Sequence, residues 1–160
     1  MAQNGRPRKL YRNINGGDML KKEVKKCMEE ARNSSKHSWC LKKKVGAVLY
    51  DKSRSAIVGI GFGGGNQPCE KCERKTLDWQ QDGCRSIHAE MRAMFHFFHV
   101  YSYSRNLSNM VMFTTHGPCD QCLKYMDYFG IRNVIYDIPY HNDYSKWPNI
   151  NVRGINEIIL

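Results

Sequence analysis

The chain has 160 residues, a formal net charge of +10 and 41% apolar residues. This length suits a single domain with a real core, and no apolar run reaches the roughly 20 residues needed to cross a bilayer. The basic start at residues 1–9 has no apolar segment after it. We therefore expect no secretory signal and a location in the cytosol, or in a host's cytosol.

Seven cysteines are present, an odd number, and four of them stand in two C-x-x-C pairs. In a chain expected to be cytosolic, such pairs favour metal binding over disulfide bonds. Much of the positive charge lies in the amino-terminal third. We expect residues 1–17 to form a basic, mobile arm and residues 18–160 to form one domain. The charge favours an anionic partner but does not choose between nucleotides and polynucleotides.

Helical and strand patterns alternate along the chain. Helices are predicted at residues 19–32, capped by Asp18, and at 87–100 and 118–129, the last ended by Gly130. Strands are predicted at 45–50, 56–62, 110–114 and 134–136, the first two as an antiparallel pair. A polar, cysteine-containing loop joins residue 65 to residue 86. This order predicts a layered α/β sandwich.

A split motif carries the chemistry: His88-Ala89-Glu90, and Pro118-Cys119 with Cys122 some thirty residues later. A histidine and two thiolates leave one position of a tetrahedral zinc open for a water, so one catalytic Zn²⁺ is predicted. Glu90 is placed to reach that water as general acid and base rather than to bind the metal. Alone, C-x-x-C is more often a structural knuckle or redox pair. Together, in this order, the two parts match zinc-dependent base deaminases.

The predicted helices place these ligands at helix ends. Proline favours the first turn of a helix, so Pro118 is expected to begin one and to set Cys119 and Cys122 on one face. His88 is expected in the first turn of another helix. Two partially positive helix ends would then favour thiolates at the metal.

The motifs, together with the K-V-G-A-V strand at residues 44–48 and the glycine turn after the second strand, resemble the cytidine deaminase superfamily. Within it, they resemble the deoxycytidylate (dCMP) deaminase family, including its phage members, over most of residues 19–141. The resemblance implies a three-layer α/β/α sandwich with a central mixed sheet. It also implies hydrolysis of dCMP to dUMP and ammonia, which supplies thymidylate synthesis.

The resemblance further implies residue roles. His88, Cys119 and Cys122 would bind zinc, and Glu90 would carry a proton from the attacking water to the ring N3 and then to the leaving amine. The Ala89 amide would hold the pyrimidine carbonyl. Substrate contacts are expected from Ala89, Phe62, Asn66, Arg92, Thr115 and Tyr140, with Tyr140 stacking near the base.

Two positions depart from the family pattern. Gly63 stands where the family's asparagine contacts the sugar, and Asn66 could substitute for it. Arg92 replaces a pocket asparagine. It could pair with a phosphate, although a solvated helix charge is the favoured interpretation. Both departures leave the phosphorylation state and base modification of the substrate open.

A second metal is suggested by the remaining cysteines. Some phage members use a cysteine just ahead of the K-V-G-A strand and another in the following loop for a structural zinc. The resemblance therefore suggests Cys40, Cys69, Cys72 and Cys84 as a four-thiolate site. The alternative is that Cys40 and Cys84 are small buried residues.

The sequence also suggests binding partners and two alternative functions. Phe95, Phe97 and Phe98 exceed what one helix face needs, which favours a homo-oligomer, and relatives suggest deoxynucleoside triphosphate effectors. The main alternative function is deamination of cytidine or adenosine in single-stranded DNA or RNA, with the three tryptophans (39, 79 and 147) stacking on bases. A zinc-stabilised binding protein without catalysis is a further alternative, against which Glu90 stands.

Overall fold

The computed structural model describes residues 19–72, 84–101 and 106–159. The predicted arm at residues 1–17, the Asp18 cap and Trp79 lie outside these ranges. Five strands form one sheet in the order β2-β1-β3-β4-β5. The strands are β1 Gly46–Asp51, β2 Ala56–Phe62, β3 Met110–His116, β4 Asn133–Ile138 and β5 Asn151–Gly154.

The sheet is mixed. β1 runs antiparallel to both β2 and β3, as predicted for the first pair, whereas β3, β4 and β5 are parallel. The helices are α1 Lys21–Ser35, α2 Ala89–Tyr101, α3 Asp120–Tyr128 and α4 Asn156–Ile159, with a 3-10 turn at Tyr144–Lys146. Within the described ranges, no helix is long and apolar enough to span a membrane.

Alternation along the strands divides the core into two layers. Val48 and Tyr50 of β1 pack in one cluster with α1 and α4, whereas Ala47 and Leu49 pack in the other with α2 and α3. Successive side chains of a strand point to opposite faces, so one buried strand serves both layers. The predicted three-layer α/β/α sandwich is confirmed.

All three predicted helices begin two residues later than predicted, and α2 begins at Ala89 rather than residue 87, so His88 precedes it. α1 begins at Lys21 rather than residue 19, because the Glu23 carboxylate accepts the Leu20 backbone N–H at 2.8 Å and fixes Leu20 as the cap. α3 begins at Asp120, with Cys119 as its N-cap, so Pro118 precedes the helix instead of opening it. β5 and α4 were not predicted from the sequence.

Glycines in β2 bring α2 against the sheet. A Cβ at Gly61 would collide with the backbone carbonyl of Ala89, and one at Gly59 with that of Ala93. Without those side chains, the backbone of α2 lies directly on β2. This contact fixes where the amino terminus of α2 sits, and with it the residues that carry the predicted chemistry.

Candidate active site

Three predicted metal ligands converge at the ends of two helices. The Nδ1 atom of His88 lies 3.3 Å from the sulfur of Cys119 and 3.4 Å from that of Cys122. Tetrahedral zinc with ordinary Zn–S and Zn–N bonds would separate such atoms by about 3.6 Å. Among the described residues, these three alone form a group of three or more donors within 4.8 Å of one another. The donor set and spacing fit zinc.

Each helix places its ligand at the N-terminus. The carbonyl of His88 accepts the Arg92 N–H at 3.0 Å, and that of Cys119 accepts the Leu123 N–H at 3.0 Å. His88 and Cys119 thus occupy N-cap positions. The unpaired N–H groups there give each helix end partial positive charge, which favours anionic sulfur.

The two cysteines differ in protonation. A hydrogen bond from Cys122, aided by His88, lowers the pKa of Cys119 to about 4, which makes that sulfur a thiolate at neutral pH. The same hydrogen bond, together with burial, raises the pKa of Cys122 well above its usual value. A thiolate already present provides the anionic ligand that a metal requires.

Glu90 lies beside the metal ligands. Its side chain is buried, with one carboxylate oxygen 3.4 Å from the Thr114 hydroxyl and the other 3.5 Å from the Cys122 sulfur. Burial raises the pKa of this carboxyl, opposed by the charge of His88. A carboxylate with a raised pKa accepts protons more readily. The described metal group does not include Glu90.

A cavity of about 570 Å³ opens over these residues. Its volume is in the range of small-molecule sites. His88, Glu90 and Cys119 lie on its surface. The remaining residues that line the cavity are Cys40, Lys43, Val45, Gly63, Cys84, Ser86, Ala89, His116, Gly117, Asp120, Gln121, Tyr140, His141 and Asn142.

The structure brings only some of the predicted substrate contacts to this cavity. Ala89 and Tyr140 line it. Phe62, Asn66 and Thr115 are absent from the described lining. Asn66 is exposed, and the Thr115 hydroxyl accepts the Gly46 N–H at 3.1 Å, which fastens β1 to β3. Any part these three play toward a substrate stays a prediction.

The favoured interpretation of Arg92 as a solvated helix charge is wrong. The side chain is half-buried, and its Nη2 donates to the carbonyls of Gly64 and Gly65 at 2.7 and 3.1 Å. The guanidinium also lies 4.8 Å from the centre of the Phe62 ring. The alternative of a phosphate ligand finds no support either, because Arg92 does not line the described cavity.

The four remaining candidate ligands do not form a metal group among the described residues. Cys69 and Cys72 are exposed on the loop, whereas Cys40 and Cys84 are half-buried and line the cavity. Cys40 accepts the Lys43 backbone N–H at 3.4 Å. The second zinc stays a prediction, and the alternative that Cys40 and Cys84 are small buried residues is wrong, because both are only half-buried.

Sequence reasoning missed Asn142, which lines the cavity, and the hydrogen bonds that hold the segment around it. Asn142 donates to the Pro118 carbonyl at 3.1 Å, and the Trp147 indole N–H donates to Asp120 at 2.9 Å. These bonds hold the segment after β4 against the start of α3. The nearest available signal was the tyrosine and histidine pair at 140–141, directly after a strand. Lys43 stands in the basic run at residues 42–44, where the sequence does not distinguish it from its neighbours.

The fold and the site together define a class of protein. A layered α/β sandwich carries a histidine and two cysteines at converging helix ends, with a buried glutamate against them. This is the arrangement of zinc-dependent base deaminases. Residues 21–138 match the model of the cytidine and deoxycytidylate deaminase zinc-binding region, and the chain belongs to that family.

Individual relatives agree with this assignment. The chain is 26% identical over 137 residues to a deoxycytidylate deaminase of Schizosaccharomyces pombe, across 80% of the chain but only 41% of the relative's length. The dCMP deaminase of cyanophage S-TIM5, solved in complex with dCMP and dUMP, has a TM-score of 0.66 and 23% identity, covering 85% of this chain and 98% of that one. A bifunctional diaminohydroxyphosphoribosylaminopyrimidine deaminase and reductase of Thermotoga maritima has a TM-score of 0.55 and 20% identity, over 87% of this chain and 37% of that one.

Proposed function

We propose that this protein hydrolyses dCMP to dUMP and ammonia and so supplies dUMP for thymidylate synthesis. The observation that carries the proposal is the buried Glu90 carboxylate, 3.5 Å from a metal-ligand sulfur, on the wall of a nucleotide-sized cavity. A purely structural metal site needs no such carboxylate. The S. pombe relative, which bears the name of this activity, adds support.

The residues divide the chemistry between them. His88, Cys119 and Cys122 would hold Zn²⁺, which when bound ionises a water near neutral pH. Glu90 takes the proton that the attacking water loses and delivers it to the ring N3, which drains charge as oxygen bonds to C4. The same carboxylate then takes the remaining proton from the new C4 hydroxyl and gives it to the amine, as the C4–N bond breaks, the C4 carbonyl forms and ammonia leaves. The raised pKa of Glu90 favours each uptake of a proton.

Recognition of a mononucleotide is supported by the cavity rim. The Lys43 ammonium lies 4.6 Å from the centre of the Tyr140 ring, and His141 lies next along the wall. Tyr140 offers a flat aromatic face to a base. Ala89, the first residue of α2, lines the same cavity. We propose that Lys43 and His141 bind the 5′-phosphate, because a cation at the end of an aromatic wall suits a nucleoside phosphate.

Deamination within a polynucleotide is the competing function. Leu41, Lys42 and Lys44 are exposed beside the cavity-lining Lys43. An exposed basic rim with apolar residues could bind the phosphate backbone of a polynucleotide where it leaves the cavity. The same zinc chemistry would serve either substrate, so only a direct comparison decides between them.

A substrate panel tests the proposal. Zinc-loaded protein is assayed for ammonia and for chromatographic product with dCMP, dCTP, deoxycytidine, 5-substituted dCMP and a single-stranded oligonucleotide, each at low and high salt. We expect dCMP to give the highest kcat/KM, with a shallow salt dependence because few phosphates are contacted. Turnover of the oligonucleotide alone, with a steep salt dependence, would favour the competing function. No turnover of any mononucleotide would refute the proposal.

Assembly and regulation belong to the same proposal. We propose a homo-oligomer formed through the outer faces of α2 and α3, where Phe95 and Tyr128 are 49% and 74% exposed. A hollow of about 560 Å³ lies between these helices and is lined mainly by apolar residues. Deoxynucleoside triphosphates are proposed as effectors on the strength of the family resemblance alone.

A further inference from the structure

Arg92 links the zinc-binding helix to the glycine turn at the cavity wall. It lies one helical turn after His88, whose carbonyl accepts its N–H. Its side chain reaches back to the turn, where one guanidinium nitrogen donates to the carbonyls of Gly64 and Gly65. The flat face of the guanidinium covers Phe62. A single side chain thus contacts residues on both sides of Gly63, the member of this stretch that lines the cavity.

The first half of the turn is held by the backbone, where the Gly63 carbonyl accepts the Trp39 N–H at 3.1 Å. Gly64 has φ +143°, a conformation that favours glycine, and it pairs with Ile87 through two backbone hydrogen bonds of 3.2 and 2.9 Å. Gly63, which lines the cavity, donates to the Val45 carbonyl at 2.9 Å. The three consecutive glycines at 63–65 offer no side chain that could pack. The Ser38 hydroxyl donates to the Gly63 carbonyl at 2.8 Å, so the guanidinium supplies the side-chain contact for the rest of the turn, at Gly64 and Gly65.

Burying Arg92 at this place costs free energy, which argues that the side chain does more than fill space over Phe62. Its Nε atom is buried without a hydrogen-bond partner among the residues that the structure describes. A buried donor left unpaired is unfavourable, and an apolar side chain would cover Phe62 without that penalty. What an apolar residue cannot do is bond two carbonyls of the turn.

We propose that Arg92 is a positioning residue: its guanidinium fixes the glycine turn at residues 63–65 and thereby sets the affinity of the cavity for the nucleotide. This inference rests on the proposed function for its substrate. Arg92 acts through Gly63, which forms the wall, and it touches none of the metal ligands through its side chain. Loss of the guanidinium should loosen the wall while leaving the zinc site and Glu90 in place.

The test compares Arg92→Met and Arg92→Lys with wild type. Methionine keeps the bulk over Phe62 but removes both hydrogen bonds to the turn, whereas lysine keeps the charge and can reach one carbonyl. We expect Arg92→Met to raise KM for dCMP and Kd for dUMP by about tenfold, a fraction of what a charged hydrogen bond can contribute. kcat should change less than about threefold, with zinc content unchanged. Arg92→Lys should fall between Arg92→Met and wild type.

Arg54→Met is the matched control. Its guanidinium also covers an aromatic ring, that of Tyr101 at 4.9 Å, and it pairs with Asp51 at 3.4 Å away from the cavity. This variant should leave KM unchanged. A KM for Arg92→Met within twofold of wild type, or a fall in kcat at constant KM, would overturn the inference.

Hydrogen exchange gives a readout that does not depend on activity. The Gly63 and Gly64 amides, both hydrogen-bonded at the turn, should exchange at least about tenfold faster in Arg92→Met, since loosening the turn lowers its opening free energy. Unchanged exchange of these amides in Arg92→Met would overturn the inference. If Arg92→Met is too unstable to measure, unchanged exchange in Arg92→Lys would overturn it instead. Failure of the proposed function is distinct: wild type would then neither turn over dCMP nor bind dUMP.

Discussion

Cys119 and Cys122 are three residues apart, and the hydrogen bond between them shifts their pKa values in opposite directions. Cys119 is the N-cap, and its pKa is lowered to about 4. Cys122 lies one turn in, buried, with a raised pKa. The spacing of the motif was readable from the sequence and predicted this proximity. The packing of Glu90 against Cys122 depends on the meeting of two helices, which no local pattern encodes.

Lys43 tests the phosphate assignment at the scale of one residue. We expect Lys43→Gln to raise KM for dCMP by about tenfold or more, because a charged contact to phosphate is lost. KM for deoxycytidine, which has no phosphate, should not change. Steady-state kinetics with both substrates measures this difference.

Lys44→Gln provides the control for that measurement. Lys44 is exposed and does not line the described cavity, although it carries the same charge one residue away. A general effect of net charge would appear in both variants. Equal changes in KM for dCMP in the two variants, or an equal loss with deoxycytidine in Lys43→Gln, would contradict the phosphate assignment.

Some strands and helices could be predicted from the sequence and others could not. β1 to β4 and α1 to α3 carry continuous apolar runs or helical spacing, and all seven were predicted to within a few residues. β5 and α4 have four residues each, and every residue of β5 is half-buried. Segments of four residues are too short to show a pattern of their own. β5 is instead fixed by pairing with its parallel neighbour, β4.

The contact between α2 and β2 gives a prediction about stability. Gly61→Ala should destabilise the fold by about 1–3 kcal/mol, because the new Cβ would meet the Ala89 carbonyl and force the helix away. Urea unfolding of the zinc-loaded protein measures the loss as a lower midpoint. The displaced helix carries His88, so zinc affinity should fall in parallel.

Gly63→Ala, two residues further along the chain, is the control. A Cβ there would have its nearest neighbour, the Ser38 hydroxyl, at 3.6 Å, which is ordinary contact. Its midpoint should therefore stay close to that of wild type. Equal destabilisation by the two substitutions would show that the tight approach of α2 to β2 does not limit stability.

Across the whole molecule, the outer face of α2 and α3 leads to a prediction of assembly. Phe95→Glu combined with Tyr128→Glu should convert an oligomer to smaller species, because burying these charges would cost more than the interface gains. Analytical ultracentrifugation across a range of concentrations measures the change. Ile60→Glu, on the edge strand β2 and 42% exposed, should leave the assembly intact. A monomeric wild type would contradict the proposed assembly.

The most direct test of the whole account is dUMP formation from dCMP by wild type and Glu90→Gln, measured side by side with zinc content. We expect both proteins to carry the catalytic zinc, since Glu90 lies outside the group of metal ligands. Wild type should produce dUMP, and Glu90→Gln should lose about 10² to 10⁴ in kcat, as expected for removal of a general acid and base. Comparable turnover by the two zinc-loaded proteins, or none by wild type, would contradict the account.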